Sequence, residues 1–236
     1  MLFVTEYVLQ IVITENIIFY WMKIAVITGD IVNSTEIDLV NKKIFFAALS
    51  SYLKEIEEYY QVKIEIFRGD SFQCVIPNIQ DALQISLEIL TFIRSISPSK
   101  EPLSASVMGY NVRISVGIGE MDFVQDSALT SDGTAFRLSG RQLDDMKGKK
   151  QYLMIASDDN YHRELQMESA LLDVILSNNT IQQNEVMNRK LRGSIEKDIA
   201  EALKIKQPAV NQRLKAGNWH IIDLMLKYYK SLYSNG

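Results

Sequence analysis

Two Gly-Asp dipeptides carry the clearest opportunity for chemistry in this chain. Gly29-Asp30 closes the apolar run at 23–28, and Gly69-Asp70 sits between two alternating runs, 62–67 and 72–76. Carboxylates at the ends of neighbouring strands can hold Mg²⁺, a hard cation that takes oxygen ligands, with backbone carbonyls and nucleotide phosphates completing its shell. Such ions can activate a hydroxyl and neutralise a leaving pyrophosphate. Aspartate is also a good turn residue, so from spacing alone the two dipeptides are explained more readily by two turns. A second chemistry lies near the C-terminus. In the segment Ser194 to Ala216, residues Lys206, Gln207, Asn211, Gln212, Arg213 and Lys215 are of the types that read base edges and phosphates in a DNA groove. An ordinary helical hairpin with a solvated charged face is the alternative.

The elements that must position these residues follow from hydrophobic spacing. Residues 23–28 predict a strand, and 38–60 a helix with Leu39, Ile44, Ala47, Ala48, Leu53, Ile56 and Tyr60 on its apolar face. The runs at 62–67 and 72–76 predict a hairpin with Arg68-Gly69-Asp70-Ser71 at its tip. A helix at 79–96, a loop at 97–106, a strand at 111–118, a helix at 134–147 and a strand at 152–156 complete a βαββαβ order with additions. From about residue 160 the pattern is all-helical, with helices at 160–176 and 181–191, Thr180 as an N-cap, and a last amphipathic helix at 219–233. Within 194–216, Ile195, Ile199 and Leu203 form a stripe, Ile205 plugs the turn, Pro208 opens the second helix, and Val210 and Leu214 face inward.

Composition bounds the remaining possibilities. Over 236 residues, hydrophobic side chains make up 47% and charged ones 23%, which is globular rather than disordered. One cysteine, Cys74, forbids an internal disulfide and suits a reducing cytoplasm. Two histidines, His162 and His220, leave Cys/His zinc sites and a Ser-His-Asp triad poorly supported. Charge is uneven. Residues 185–236 hold ten Lys/Arg against five acids, whereas 1–184 hold 15 against 24, and a basic tail on an acidic body suggests a polyanion partner. The apolar stretch 1–21 is interrupted by Glu6 and Glu15 and is too broken for a spanning helix, so no membrane partner is expected. Met22 precedes a clean strand, so 1–21 reads as an extension outside the native core, with extra β structure over 7–20 at a sheet edge as the competing reading.

Four motifs, in order, carry a resemblance. Asp30-Ile31 within ITGDIVNST resembles the first metal motif of the class III nucleotide cyclases, and Arg68-Gly69-Asp70-Ser71-Phe72 the second. RISVGIGE at 113–120 and GTAFRLSGR at 133–141 resemble two further cyclase segments. With the C-terminal segment, which resembles bacterial helix-turn-helix regulators, residues 22–236 resemble the SatD family. The resemblance implies an α+β fold. A ferredoxin-like βαββαβ cyclase-like domain would span 22–157, and an all-α helix-turn-helix DNA-binding domain would span 158–236. It further implies Asp30 and Asp70 as metal ligands for Mg²⁺, and Arg141 as a nucleotide-binding arginine. Arg137 stands where the cyclases keep a ribose-orienting asparagine, and a bulky cation there can instead bind phosphate. Ile64 or Ile66 replaces the base-reading lysine, and Lys204 occupies a turn position where glycine is common, which suggests a longer or looser turn. Nucleotide binding therefore survives the comparison better than cyclisation. The expectation is a cytoplasmic, homodimeric regulator that binds double-stranded DNA and senses a nucleotide or Mg²⁺. The alternatives are an active divergent nucleotidyl cyclase or phosphotransferase, and a scaffold whose two sites are vestigial.

Overall fold

Strand β1 (Met22–Ile31) lies inside the sheet, and its residues Ile24, Ala25, Val26 and Ile27 are all fully buried. A strand covered on both faces must be apolar at successive positions, and this run is. The computed structural model describes residues 22–67, 69–98, 109–123 and 132–234, with the side chains of Met22, Asp122 and Phe123 left aside. The expectations for residues 1–21, for Arg68 and for most of the 97–106 loop lie outside the described residues.

Helix α1 (Leu39–Tyr60) starts where the Asp38 carboxylate accepts from the backbone N–H groups of Val40 and Asn41, each at 3.1 Å. Such a cap satisfies donors that the first turn leaves orphaned. The buried face of α1 is Phe45, Leu49, Tyr52, Leu53 and Ile56. The predicted stripe is therefore rotated: Leu39 is 78% exposed and Ile44 is 56% exposed, because the larger rings of Phe45 and Tyr52 take the inward positions.

Strands β2 (Lys63–Phe67) and β3 (Ser71–Ile76) form the expected hairpin, and Gly69 at its tip has φ 80°, a left-handed value that costs glycine little. Helix α2 (Ala82–Ser95) is buried nearly throughout, its polar Gln84, Ser86, Glu88, Thr91 and Arg94 included. Strand β4 (Val112–Phe123) pairs antiparallel with β1 along its whole length. Its other edge holds the short β5 (Asp132–Gly133) antiparallel and β6 (Leu153–Ser157) parallel. The sheet order is β2-β3-β1-β4, with β5 and β6 sharing the outer edge of β4. The result is a mixed α/β architecture with a largely antiparallel sheet.

Helix α3 (Thr134–Met146) lies close on the sheet because Gly117 has no side chain: a Cβ there would come within 2.1 Å of the Ala135 carbonyl oxygen. Thr28 Oγ1 donates to Ser139 Oγ at 2.9 Å across the same contact.

The chain continues as α4 (His162–Ser177), α5 (Ile181–Leu191), α6 (Glu196–Ala202), α7 (Gln207–Ala216) and α8 (Trp219–Leu232). Thr180 caps α5 with a reciprocal Gln183 bond, as expected. One apolar cluster runs from the sheet through Leu165, Leu172, Met187, Ile222 and Tyr229, so α4, α5 and α8 share the core of the sheet. Buried polar contacts add direction to that packing. Asn188 Nδ2 donates to Tyr52 Oη and to the Glu88 carbonyl, both at 2.8 Å, which joins α5 to α1 and α2. A smaller cluster of Val186, Ile199, Ala200, Val210 and Leu214 holds α5, α6 and α7 together. Among the described residues no helix is long and apolar enough to cross a membrane.

Candidate functional site

Backbone register brings the first site together. In the ladder, Asp30 stands opposite Ser71 on one side and opposite Arg113 on the other. The Ile31 N–H donates to the Asp70 carbonyl at 2.9 Å, which docks the hairpin tip against the end of β1. Two Gly-Asp dipeptides 40 residues apart thus meet at one rim of the sheet, one at the end of β1 and one at the hairpin tip. The Ser71 hydroxyl lies between the two carboxylates, 3.3 Å from Asp30 Oδ1 and 3.4 Å from Asp70 Oδ1. On the far side of Asp70, the buried Ser34 donates its hydroxyl to Oδ2 at 2.6 Å. Ser34 reaches this place from a short 3-10 turn, Ser34–Glu36, entered through Asn33 in the left-handed region.

The electrostatics of the rim are those of a partly compensated pair of like charges. Burial raises the Asp30 carboxyl above its usual range, and the neighbouring Asp70 charge raises it further. Lys147 and Arg113 oppose the shift, yet it remains upward. Arg113 approaches Asp30 Oδ2 only to 3.4 Å, a long contact for a charged pair. Lys147 arrives from the C-terminal end of α3, where it also pairs with Asp144 at 2.7 Å. A divalent cation would supply the missing compensation, and hydroxyl and carboxylate oxygens are donors such an ion takes.

The sequence-derived residues are distributed as follows. Asp30 and Asp70 come together. Arg137 does not join them within one chain. Gly119 lies under Thr134 and Ala135 while Ser115 touches Gln142, so α3 runs antiparallel to β4 and its start lies far from the aspartate rim. There Arg137 pairs with Asp132 at 3.1 Å and donates to Thr134 Oγ1 at 3.2 Å. Arg141 lies exposed nearer the middle of the same helix. Ser34 and Lys147 had no role in the sequence reading. Ser34 lies four residues after Asp30 in the same motif, so its nearness was available as a signal, whereas nothing local marks Lys147.

A second array lies on α6 and α7. Lys206, Gln207, Asn211, Gln212 and Lys215 are exposed and Arg213 is half-buried. Four residues, Leu203 to Lys206, connect the two helices, and Lys204 takes φ 53°. Lysine therefore adopts the glycine-like conformation and the turn stays short. Ile205 packs on the small cluster as expected, whereas Ile195 does not: it is the exposed N-cap of α6. Acidic Glu196 borders the array, 3.5 Å from Asn211 Nδ2.

No protein-family model matches the chain, and no curated protein matches it either. Solved structures do. The catalytic core of a rhodopsin-guanylyl cyclase with converted specificity, in complex with ATPαS, is 20% identical at a TM-score of 0.37, over 51% of this chain and 71% of that one. A bacterial light-regulated adenylyl cyclase is 16% identical at 0.40, over 58% and 75%. The dimeric guanylyl cyclase domain of the RhoGC fusion protein from the aquatic fungus Blastocladiella emersonii is 18% identical at 0.41, over 60% and 83%.

Proposed function

We propose that the rim formed by Asp30 and Asp70 binds the divalent-cation complex of a nucleoside triphosphate. The observation that carries this reading is the placement of two carboxylates on either side of one serine hydroxyl, with their mutual repulsion left partly uncompensated. Among the described residues no three His, Cys, Asp or Glu side chains gather as a closed metal site. Water and phosphate oxygens would complete the shell, which is the usual arrangement for Mg²⁺. When bound, the ion neutralises phosphate charge and lowers the cost of making an oxygen nucleophile.

The rest is the work of the chain's own residues. Asp30 and Asp70 hold the ion. The Ser34 and Ser71 hydroxyls fix the carboxylate orientations, and Arg113 restrains Asp30 from the neighbouring strand. Lys147 offers a positive charge at the rim towards phosphate. Arg137, at the other end of α3, reaches such a nucleotide only from a second copy of the chain, so a homodimer belongs to this proposal. The sensor and enzyme versions separate in one experiment. Purified protein is incubated with each nucleoside triphosphate and Mg²⁺, and bound nucleotide, released pyrophosphate and released nucleoside diphosphate are all measured. Binding without turnover identifies a sensor; pyrophosphate release abolished by Asp30→Asn identifies a nucleotidyl cyclase, and diphosphate release so abolished a phosphotransferase. No metal-dependent binding of any nucleotide refutes both.

A second reading concerns α6 and α7. The short turn through Lys204 and the exposed Gln207, Asn211, Gln212 and Lys215 support a helix-turn-helix unit that docks on duplex DNA, joined to the nucleotide site as a regulator. Six phosphate contacts imply a log–log salt slope of about −5. Arg213→Ala and Lys215→Ala should each weaken binding across all sequences. A flat salt response removes this reading and leaves the nucleotide site untouched.

A further inference from the structure

We propose that the turn from Lys147 to Lys150 grips the phosphates of the ligand held at the Asp30–Asp70 rim, so that the site selects its substrate by phosphate number and takes a linear triphosphate, nucleoside or inorganic. This rests on the reading of the rim as a metal–phosphate site. The ladder fixes where the turn lies. Thr28 and Asp30 stand two residues apart on β1 and share one face of the sheet, the face on which Thr28 meets Ser139 of α3. Opposite Thr28 is Ser115, whose hydroxyl donates to Gln142 Oε1 at 3.4 Å, and opposite Asp30 is Arg113. One helical turn beyond Gln142 covers about the same length as two strand residues, roughly 6 Å. The last turn of α3, at the buried Met146, therefore reaches the level of Arg113 and Asp30 on the carboxylate face. The chain then enters β6, where the Ile114 N–H donates to the Tyr152 carbonyl at 2.8 Å and Leu153 pairs with Ile114. Residues 147–151 are thereby confined to the end of the sheet that carries Asp30. Strand β6 is two strand spacings from β1, about 10 Å.

Local structure presents the lysines to solvent. Gly148 takes φ 81°, and the Lys149 N–H donates to the Met146 carbonyl at 3.1 Å, so the chain turns at once after α3. Lys147, Lys149 and Lys150 are all exposed. The nearby acids do not neutralise them. Lys147 takes Asp144 at 2.7 Å, and Asp145 lies beside it on the outer side of α3. Lys149 and Lys150 are engaged by no acid among the described residues. The charge of Lys147 is already felt by the Asp30 carboxyl. An ammonium on a flexible stem binds phosphate as a point charge, without the fixed geometry that a guanidinium demands. A metal-bound phosphate sits at the carboxylates, and each further phosphate carries charge across the gap towards the turn. The groups gathered at the rim itself are carboxylates, hydroxyls and a guanidinium, which meet metal and phosphate. What distinguishes one ligand from another there is the length of the phosphate chain.

The test is equilibrium titration of the full chain, with Mg²⁺ present, by ATP, GTP, their di- and monophosphates and inorganic tripolyphosphate. The three triphosphates should bind within about tenfold of one another, and each at least about tenfold more tightly than the monophosphates. The double variant Lys149→Gln, Lys150→Gln should lower triphosphate affinity about tenfold and monophosphate affinity by less than about threefold. Free Mn²⁺ should bind this variant no more weakly, and the arginine pair at the same positions should restore triphosphate binding. Both lysines are exposed, so the variants should fold as the parent does. A double variant that binds triphosphate as tightly as the parent, or an affinity independent of phosphate number, overturns the proposal. Tripolyphosphate that fails to bind where a nucleoside triphosphate binds also overturns it, because the base then selects. In each of these cases the reading of the rim stands, provided that binding needs the metal and is lost in Asp30→Asn. No metal-dependent binding by any of these ligands overturns both.

Discussion

Asp30 and Glu168 are both held above the ordinary carboxylate range, and the contrast between them shows how environment decides what relieves a costly carboxylate. Asp30 stands among polar groups: a serine hydroxyl, an arginine, a second carboxylate and a lysine at the rim. Burial comes first among the causes of its shift and the charge of Asp70 second. Glu168 stands among methionine, leucine and tyrosine, and burial alone supplies most of its shift, to about 7. The first arrangement concentrates negative charge among oxygens and is relieved by a small dication. The second isolates one carboxyl among apolar side chains and is relieved when the group keeps its proton. One physical quantity, the cost of an uncompensated carboxylate, thus has two unlike remedies.

The harshest way to break the comparison is Asp30→Asn. If the rim is a dication site, this variant loses a charged ligand and should weaken Mg²⁺-nucleotide binding at least about 100-fold, about 2.7 kcal/mol, by equilibrium titration. Asp70→Asn should do nearly as much, and the double variant little more, because both act on one ion. The unliganded Asp30→Asn protein should be no less stable, since a repulsion is removed.

Glu168→Gln comes next, and its sign follows from linkage. The folded state holds the Glu168 proton more tightly than the unfolded chain does. Stability from this group is present below the ordinary glutamate range and is lost as pH rises through about 7. The variant should therefore match the parent at about pH 4 and exceed it by about 1–2 kcal/mol at about pH 8, discounted for partial solvent screening. In thermal unfolding that is a rise of a few degrees, seen only above neutrality. A pH-independent difference would mean that burial is not what lifts Glu168, and the contrast with Asp30 would lose its basis.

Much of the rim was legible because it depends on local rules. An apolar strand run ending in Gly-Asp and a hairpin with Gly-Asp at its tip set where two carboxylates sit along their strands. Strand pairing then had only to bring two ends together. The residues that complete the rim depend on packing instead. Lys147 arrives because Gly117 lets α3 lie close on β4, a contact between residues with no shared pattern. The face of α1 was misjudged for a related reason: Leu39 and Ile44 obey helical spacing but face outward, and only tertiary contact decides between two apolar stripes on one helix. The parallel placement of β6 beside β4 and the orphaned carboxyl of Glu168 are likewise properties of assembled surfaces. The short turn at Lys204 shows the reverse case. A residue-type preference suggested a looser connection, and the surrounding core of Val210, Leu214 and Ile199 held lysine in the left-handed region.

Ser71→Ala sharpens the comparison from within the rim. Its hydroxyl lies between the two carboxylates, and its loss should cost about 0.5–1.5 kcal/mol of Mg²⁺-nucleotide affinity, roughly three- to tenfold. Lys147→Ala has the smallest expected effect and the most diagnostic sign. Lys147 is exposed and paired with Asp144, so screening limits its influence to about threefold or less. It lowers the Asp30 carboxyl, which marks its charge as felt at the rim. Removing it should strengthen binding of free Mn²⁺, because one repulsive charge is gone, and weaken binding of the Mg²⁺-nucleotide complex, because the phosphates lose a counter-charge. The two changes have opposite signs, and both should fade at about 0.5 M salt. Changes of the same sign would place Lys147 outside the nucleotide's reach and confine the rim to metal alone.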